Sequence, residues 1–384
     1  MPISTRLINA TNKLESWMRT DALPLWTSTG INPDNGGVYE GLLANGQPDV
    51  NANTRTRVQA RQIYVFAIAA DQGWLANGLP VIANIVHYIN NTAKVEKHQG
   101  GYAHLLSSKG EIIDAKLDAY DFAFYILSCA YRYKAFGDLH ALHQIEQITA
   151  QMDEQFKQEP GGWMEGDYAC ATRRQNPHMH LFEAFIACYK VTKNGKWLAR
   201  AGEIFTLFET IFFQKDQGIL LEFFDVNWQP VSEQEGQQIE PGHMFEWVWL
   251  LREYNDLTGT PVDNYCDALY QYALNLGQDP KSGLIYDSLT LANQPINGTK
   301  RCWPLTEYIK ASIAQARAGD KKGEDRAAYG IELLFEFYIS KNVTGSYIDQ
   351  IDADNTPAAC HAPASTLYHI MAATMESVKY SRNK

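Results

Sequence analysis

Long apolar runs are missing from this chain: no stretch approaches the roughly 18 consecutive apolar residues that a membrane-spanning helix needs. The first twenty residues mix polar and apolar positions without a continuous apolar core, so no secretory signal is expected there. Positive charge is also scarce. Lysine and arginine number 33 against 44 aspartates and glutamates, a net charge of -11 that repels phosphate backbones and anionic lipid, so neither nucleic acid nor a membrane is an expected partner. The six cysteines (Cys129, Cys170, Cys188, Cys266, Cys302 and Cys360) are far apart and form no C-x-x-C pair. That argues against a zinc ribbon or a redox motif and fits reduced thiols in a cytoplasm. Phosphate-cradling glycine loops, dinucleotide fingerprints and the G-x-S-x-G elbow are absent as well. What the chain does have is aromatic surface. With 21 Tyr, 16 Phe and 9 Trp it can fill one large core and line a cavity suited to a neutral ligand.

A glycine followed by apolar or aromatic residues and then an acid recurs at Gly37-Val-Tyr-Glu40, Gly162-Trp-Met-Glu165, Gly218-Ile-Leu-Leu-Glu222, Gly283-Leu-Ile-Tyr-Asp287 and Gly345-Ser-Tyr-Ile-Asp349. Gly101-Tyr-Ala-His104 fills the remaining gap, with histidine in place of the acid. Successive spacings are 64, 61, 56, 65 and 62 residues, and one sixth of the 384-residue chain is 64. Six similar units are implied. Between the glycine turns lie stretches with apolar residues at helical spacing, each long enough for two helices. Tyr120, Phe124, Leu127 and Tyr131 illustrate the spacing, and Asn194-Gly195 reads as a helix stop. Strand-like alternation is confined to short pieces at the glycine turns, and no parallel sheet is expected. Six helical hairpins either stack as an open solenoid with a protein-binding concave face or close into a ring of six inner and six outer helices. The concentration of His and aromatics at the starts of alternate helices favours the ring, formed by residues 1–384 as a single domain. Closure creates a funnel in which helix starts remote in sequence converge.

Arg57, Arg61 and Tyr64 fall on one helical stripe beside an apolar run, and a buried arginine needs an acid or an anionic ligand. Asn176-Pro-His178-Met-His180-Leu-Phe-Glu183 opens another helix, with Asn176 as the expected cap. His178 and His180, two residues apart, cannot share a face, so zinc is not expected and His180, beside Asn176 and Glu183, is the inward choice. Glu240-Pro-Gly-His243-Met-Phe-Glu246 repeats the design. Pro363 is expected to start the last helix, with His369 one to two turns in. His361 before it, and His140 and His143 on an outer helix, read as solvated.

These segments together resemble the N-acylglucosamine 2-epimerase superfamily, over nearly the whole chain. The resemblance is carried by Arg61-x-x-Tyr64-x-Phe66, Gly101-Tyr102-x-His104, Asp118-x-Tyr120-Asp121-x-Ala-Phe124, Asn176-x-x-Met179-His180-x-x-Glu183-Ala-Phe185, Glu240-Pro-Gly-His243-x-x-Glu246-Trp247, Trp303-x-x-x-Glu307 and Leu367-Tyr368-His369. It implies an all-α (α/α)6 barrel with short β-hairpin pieces in the loops, a monosaccharide at the bottom of the funnel, and no obligatory metal or organic cofactor. Carried over by motif, His243 and His369 would be the acid–base pair, Arg61 the enediolate stabiliser, and His180 and Glu246 supporting groups. Asn176, Tyr120, Trp303, Glu183 and Glu307 would surround the sugar.

Such chemistry suits these residue types. A proton beside an aldehyde is weakly acidic, so its removal needs a positioned base while charge growing on the carbonyl oxygen is stabilised. Cellobiose epimerases of this superfamily carry a tryptophan-containing W-K-x-P-Y-H run where this chain has Ala364-Ser-Thr-Leu-Tyr-His369. An aldose–ketose isomerase acting on mannose is therefore expected, with a sugar 2-epimerase or a mannose-6-phosphate isomerase as alternatives. No dedicated Lys/Arg cluster for a phosphate stands out among the motif residues. A glycoside hydrolase on the same barrel would need two separated carboxylates, and here the acids accompany histidines. A monomer and a homo-oligomer fit the sequence equally.

Overall fold

The computed structural model describes residues 3–95, 100–231, 234–358 and 361–382; Cys360 lies outside them. Inner helices α3 (Thr56–Asp71), α5 (Ala119–Phe136), α7 (Gln175–Thr192), α9 (Pro241–Thr258), α11 (Cys302–Arg317) and α13 (Thr366–Arg382) pack side by side in a ring that closes from α13 back to α3. Around them lie α1 (Thr5–Trp17), prolonged through a π-turn into α2 (Leu23–Ser28), then α4 (Gly78–Thr92), α6 (Leu139–Phe156), α8 (Gly195–Leu207), α10 (Asp263–Leu276) and α12 (Gly323–Leu333). The all-α (α/α)6 barrel expected from the sequence is the observed fold. Five of its units are continuous inner–outer hairpins. In the sixth, α13 packs against α1, so the two ends of the chain complete the ring.

The two rings differ in sequence because they differ in burial. Outer α8 buries one stripe, Trp197, Ala201, Ile204, Phe205 and Leu207, as an amphipathic helix does. Inner α9 buries every residue from Pro241 to Tyr254. No helix among the described residues is long and apolar enough to cross a membrane.

Short strands knit the mouth at which the inner helices begin. Residues 41–43 pair with 361–363, 54–55 with 105–106, 172–174 with 223–225, 238–239 with 289–290, and 300–301 with 350–351, all antiparallel. A single bridge, Asp118 to Gly166, occupies the remaining junction. Each pairing joins the segment preceding one inner helix to the segment preceding the next. Local hairpins accompany them, as in residues 213–214 with 219–220 and in single bridges such as Ile31 to Val38 and Gln278 to Ile285.

Three boundaries and one side-chain placement depart from the sequence reading. Arg174, not Asn176, flanks the start of α7, leaving Asn176 as its second residue. Pro363 ends a strand, and α13 starts at Thr366, which brings His369 into the first turn. Asn194 opens α8 by accepting a hydrogen bond from the Lys196 N–H, while Lys193, at φ 56°, ends α7. Tyr64 leaves the arginine stripe functionally: it lines a separate cavity with Tyr131 and Trp249.

Candidate active site

A cavity of about 410 Å³ opens where the inner helices begin. Arg61, Tyr120, Asn176, His180, His243, Glu246, Trp303 and His369 all line it. Eight of the ten expected residues, drawn from six inner helices, therefore meet around one space, and Arg61, His243 and His369 share it. Glu183 and Glu307 do not line it; they lie beneath, at 4% and 0% exposure. His178 points elsewhere: its Nε2 accepts from the Trp163 N–H at 3.1 Å and its Nδ1 lies 3.1 Å from the Arg174 carbonyl. His140 and His143 are exposed, as expected. His361 is exposed too, yet it borders the cavity mouth.

Each of the three inward histidines, His180, His243 and His369, turns Nδ1 toward a carboxylate, which leaves Nε2 for a ligand. His369 Nδ1 is 2.9 Å from Glu307 Oε1, and His243 Nδ1 is 3.0 Å from Glu222 Oε2 and 3.6 Å from Glu240 Oε2. His180 Nδ1 lies 3.4 Å from Glu183 Oε2 and 3.8 Å from Glu246 Oε1. The two His-x-x-Glu segments are thus not equivalent. His180 does meet Glu183 one turn on, whereas His243 meets acids from outside its helix and Glu246 turns toward His180. The Trp303 ring is tilted against both acid–base candidates, 5.0 Å from His243 and 5.6 Å from His369 between centroids.

Charge separates the rings. Burial opposes protonation of His243, but Glu222 and then Glu240 outweigh it and push the imidazole up to about 10. For His369, burial, Arg61 and Lys310 act together and hold it well below its usual 6.5. Burial likewise lowers His180 to about 4. At neutral pH one cavity wall therefore carries an imidazolium and the other a neutral imidazole. Glu246, raised by burial and by Glu307, holds its proton far above the ordinary carboxylate range.

Arg61 is the cavity's uncommitted cation. Its Nη2 donates to the Tyr120 hydroxyl at 2.7 Å and Nη1 to the Ser365 carbonyl at 3.4 Å, while its Nε, buried, has no partner. The guanidinium carbon lies 4.0 Å from the Phe124 ring centroid. Among the described residues no carboxylate pairs with it. Arg57, by contrast, is salt-bridged to Asp121 at 2.9 Å.

The glycine-turn acids explain how the repeat builds this mouth. At α3, α7 and α11, the acids Glu40, Glu165 and Asp287 accept the backbone N–H of Arg55, Arg174 and Arg301, the residues flanking those helix starts, and also pair with the same side chains. At the alternate helices the equivalent residue reaches inward instead: His104 to Asp121 on α5 at 2.7 Å, Glu222 to His243 on α9, and Asp349 to Thr366 on α13 at 2.6 Å. The histidine that breaks the acid pattern at position 104 faces an acid already there. In the sequence Glu222 reads as a repeat marker only, Glu240 as part of a motif without a role, and Arg55 and Arg301 carry no signal; the last three also line the cavity.

Among the described residues, three groups bring potential metal-ligand atoms within 4.8 Å: His180 with Glu183 and Glu246, His243 with Glu222 and Glu240, and His369 with Glu246 and Glu307. In the last, Lys310 Nζ already stands 2.7 Å from Glu307 Oε2. A metal ion there would have to displace or repel an ammonium, so the donor set fits one poorly.

The sequence profile described as N-acylglucosamine 2-epimerase (GlcNAc 2-epimerase) matches residues 36–373. A protein named mannose-6-phosphate isomerase from Rhizobium meliloti (strain 1021) is 31% identical over 373 residues, covering 95% of each chain. One named D-mannose isomerase from Thermobifida fusca is 23% identical, covering 94% of this chain and 93% of its own. The crystal structure of a sugar epimerase from a ruminal bacterium superposes with a TM-score of 0.86 at 20% identity, over 97% of this chain and all of that one. Fold, site and relatives define an enzyme that isomerises or epimerises sugars on an (α/α)6 barrel. The chain belongs to the N-acylglucosamine 2-epimerase family.

Proposed function

We propose that this chain is a cofactor-independent aldose–ketose isomerase that interconverts D-mannose and D-fructose. The observation that carries the reading is a pair of imidazoles, each with Nδ1 on a carboxylate, around the same cavity as an arginine that no carboxylate among the described residues pairs with, in surroundings that push the two rings in opposite directions. Environments that push two titratable groups apart assign acid and base. His243, protonated, gives its proton to the ring oxygen and takes the O1 hydroxyl proton as the ring opens, so it stands protonated again beside the open-chain aldehyde. His369 Nε2 then takes the proton from C2, and the charge arriving on O1 is held by Arg61. His243 protonates O1 and recovers a proton from O2 as the C2 carbonyl forms, while His369 returns its proton to C1. No net oxidation occurs, so the reaction needs no redox partner. Tyr120, Asn176 and Trp303 contact the sugar, His180 and Glu246 shape its polar wall, and Glu183 and Glu307 act from behind the histidines.

The missing tryptophan before His369 and the isomerase names of the Rhizobium meliloti and Thermobifida fusca relatives support the ketose rather than the C2 epimer as product. Incubation of chelator-treated protein with mannose in D2O is expected to yield fructose carrying deuterium. Glucose as the sole product would assign an epimerase, and unchanged sugar across a panel of free aldoses would overturn the reading.

A phosphorylated substrate is the second reading, favoured by the name of the Rhizobium meliloti relative and by Arg55, Arg57 and Arg301 at the cavity. Against it, each of these arginines is already paired, with Glu40, Asp121 and Asp287 respectively. Mannose is expected to be turned over more efficiently than mannose 6-phosphate in the same assay. The remaining expectations, a single domain and a cytoplasmic location, belong to this proposal.

A further inference from the structure

At the cavity floor stands Glu246, which lines the cavity, and behind it Glu183, Glu307 and Lys310, which do not. Glu183, Glu246 and Glu307 come from α7, α9 and α11, and Lys310, three residues after Glu307 on α11, is 0% exposed. Its Nζ stands 2.7 Å from Glu307 Oε2 and 3.6 Å from the Trp249 ring centroid. Glu307 Oε1 faces His369 Nδ1 at 2.9 Å. One carboxylate therefore bridges a fully buried lysine and an imidazole that lines the cavity. Burying an ammonium is expensive, and an apolar side chain would pack on Trp249 at lower cost. The charge calls for a reason within the site.

We propose that Lys310 is a positioning residue that sets the tautomer of His369. Burial pushes the Glu307 carboxyl above its usual range, the Lys310 ammonium is the largest force opposing that, and the ionised carboxylate it favours only accepts hydrogen bonds. His369 must then carry its proton on Nδ1 and present the Nε2 lone pair to the cavity. A protonated Glu307 would donate to Nδ1 and move the ring proton to Nε2. A Glu307 left charged without Lys310 would instead draw a second proton onto the ring. Both alternatives remove the lone pair. The charged and titratable groups acting on this unit are Glu246 and His243 from α9, Glu183 and His180 from α7, His369 from α13 and Arg61 from α3. Burial opposes the charge of Lys310, but Glu307 first, with Glu183, outweighs it and holds the ammonium protonated. What Nε2 does to a sugar rests on the isomerase reading; the tautomer does not.

The test is 15N NMR of the histidine-labelled full chain, native and as Lys310→Met and Lys310→Arg. Native protein is expected to show His369 as the Nδ1–H tautomer across neutral pH. Lys310→Met is expected to show Nε2–H or the doubly protonated ring, and Lys310→Arg the native form. In parallel, Lys310→Met should lower kcat for sugar isomerisation by about 100-fold with KM little changed, and Lys310→Arg should recover most of it. The acid limb of its kcat/KM profile should move up by about one pH unit or more. An Nε2–H His369 in the native protein overturns the proposal without any variant, even should Lys310→Met not fold. So does an Nδ1–H His369 with an unmoved acid limb in Lys310→Met. The expected tautomers without turnover of any aldose would unseat the isomerase reading and leave the role of Lys310 standing.

Discussion

At the scale of the residue, protonation is the property that matters, and burial alone does not set it. His243 and His369 are both buried, at 5% and 6% exposure, yet they are pushed in opposite directions because one faces Glu222 and Glu240 while the other also faces Arg61 and Lys310. Activity is therefore expected to hold across neutral pH, to fall on the alkaline side as His243 loses its proton toward about 10, and to fall on the acid side only well below 6.5. Glu222→Gln removes the largest support for the imidazolium and should bring the alkaline limb down, read from kcat/KM against pH. His243→Ala and His369→Ala are each expected to leave the circular dichroism unchanged and to abolish solvent deuterium incorporation into the sugar. Retained incorporation in either variant removes that histidine from the mechanism. The histidines, Arg61 and Trp303 were legible in the sequence because each sits near the start of an inner helix within a local motif. Glu222 and Lys310 were not. One looked like a repeat marker and the other like a charge in an otherwise apolar helix, and both acquire meaning only from partners 21 and 3 residues away.

At the scale of the element, the start of each inner helix is the functional unit. In α7, Glu165 accepts the Arg174 N–H at 2.7 Å and its Nε at 2.6 Å, tying the glycine turn to the helix that carries Asn176 and His180. Glu165→Ala should cost about 1–3 kcal/mol in urea unfolding, because it strands a buried donor and breaks an ion pair. Gly242, the second residue of α9, has Trp303 pressed against it: a Cβ there would stand 2.6 Å from Trp303 Cη2 and Cζ3. Gly242→Ala is expected to displace the indole that tilts against His243 and His369, raising KM while the melting temperature changes little. Helix existence was readable from the period of outer helices such as α8. Helix boundaries were not, since the short strand before each inner helix belongs to a pairing with the next unit. That is why Pro363 and Asn176 were misplaced by a few residues.

At the scale of the whole molecule, the ring is closed by its own ends. Leu14 on α1 is 0% exposed, and Arg382 on α13 donates to Glu15 at 2.7 Å and 2.9 Å. Leu14→Ala is expected to destabilise the entire barrel by about 2–5 kcal/mol in one cooperative transition, measured by urea unfolding with two spectroscopic probes. Stability should also depend on acid. His178 and His180, at about 3 and 4 in the folded chain, stay neutral while the unfolded chain binds protons as pH falls below 6.5. The stability they contribute is thus present above 6.5 and is lost as pH falls toward 4. Melting temperatures recorded between these values should decline steadily.

The sequence by itself determined the six-unit ring and the positions that face its axis, because helical period, glycine turns and proline-opened helices act over a few residues. Only the tertiary structure decided which carboxylate meets which histidine, and so which ring holds a proton. Neighbouring helices supply those partners, and the rotation of one helix against the next, fixed by packing, selects among acids that the sequence presents as equivalent.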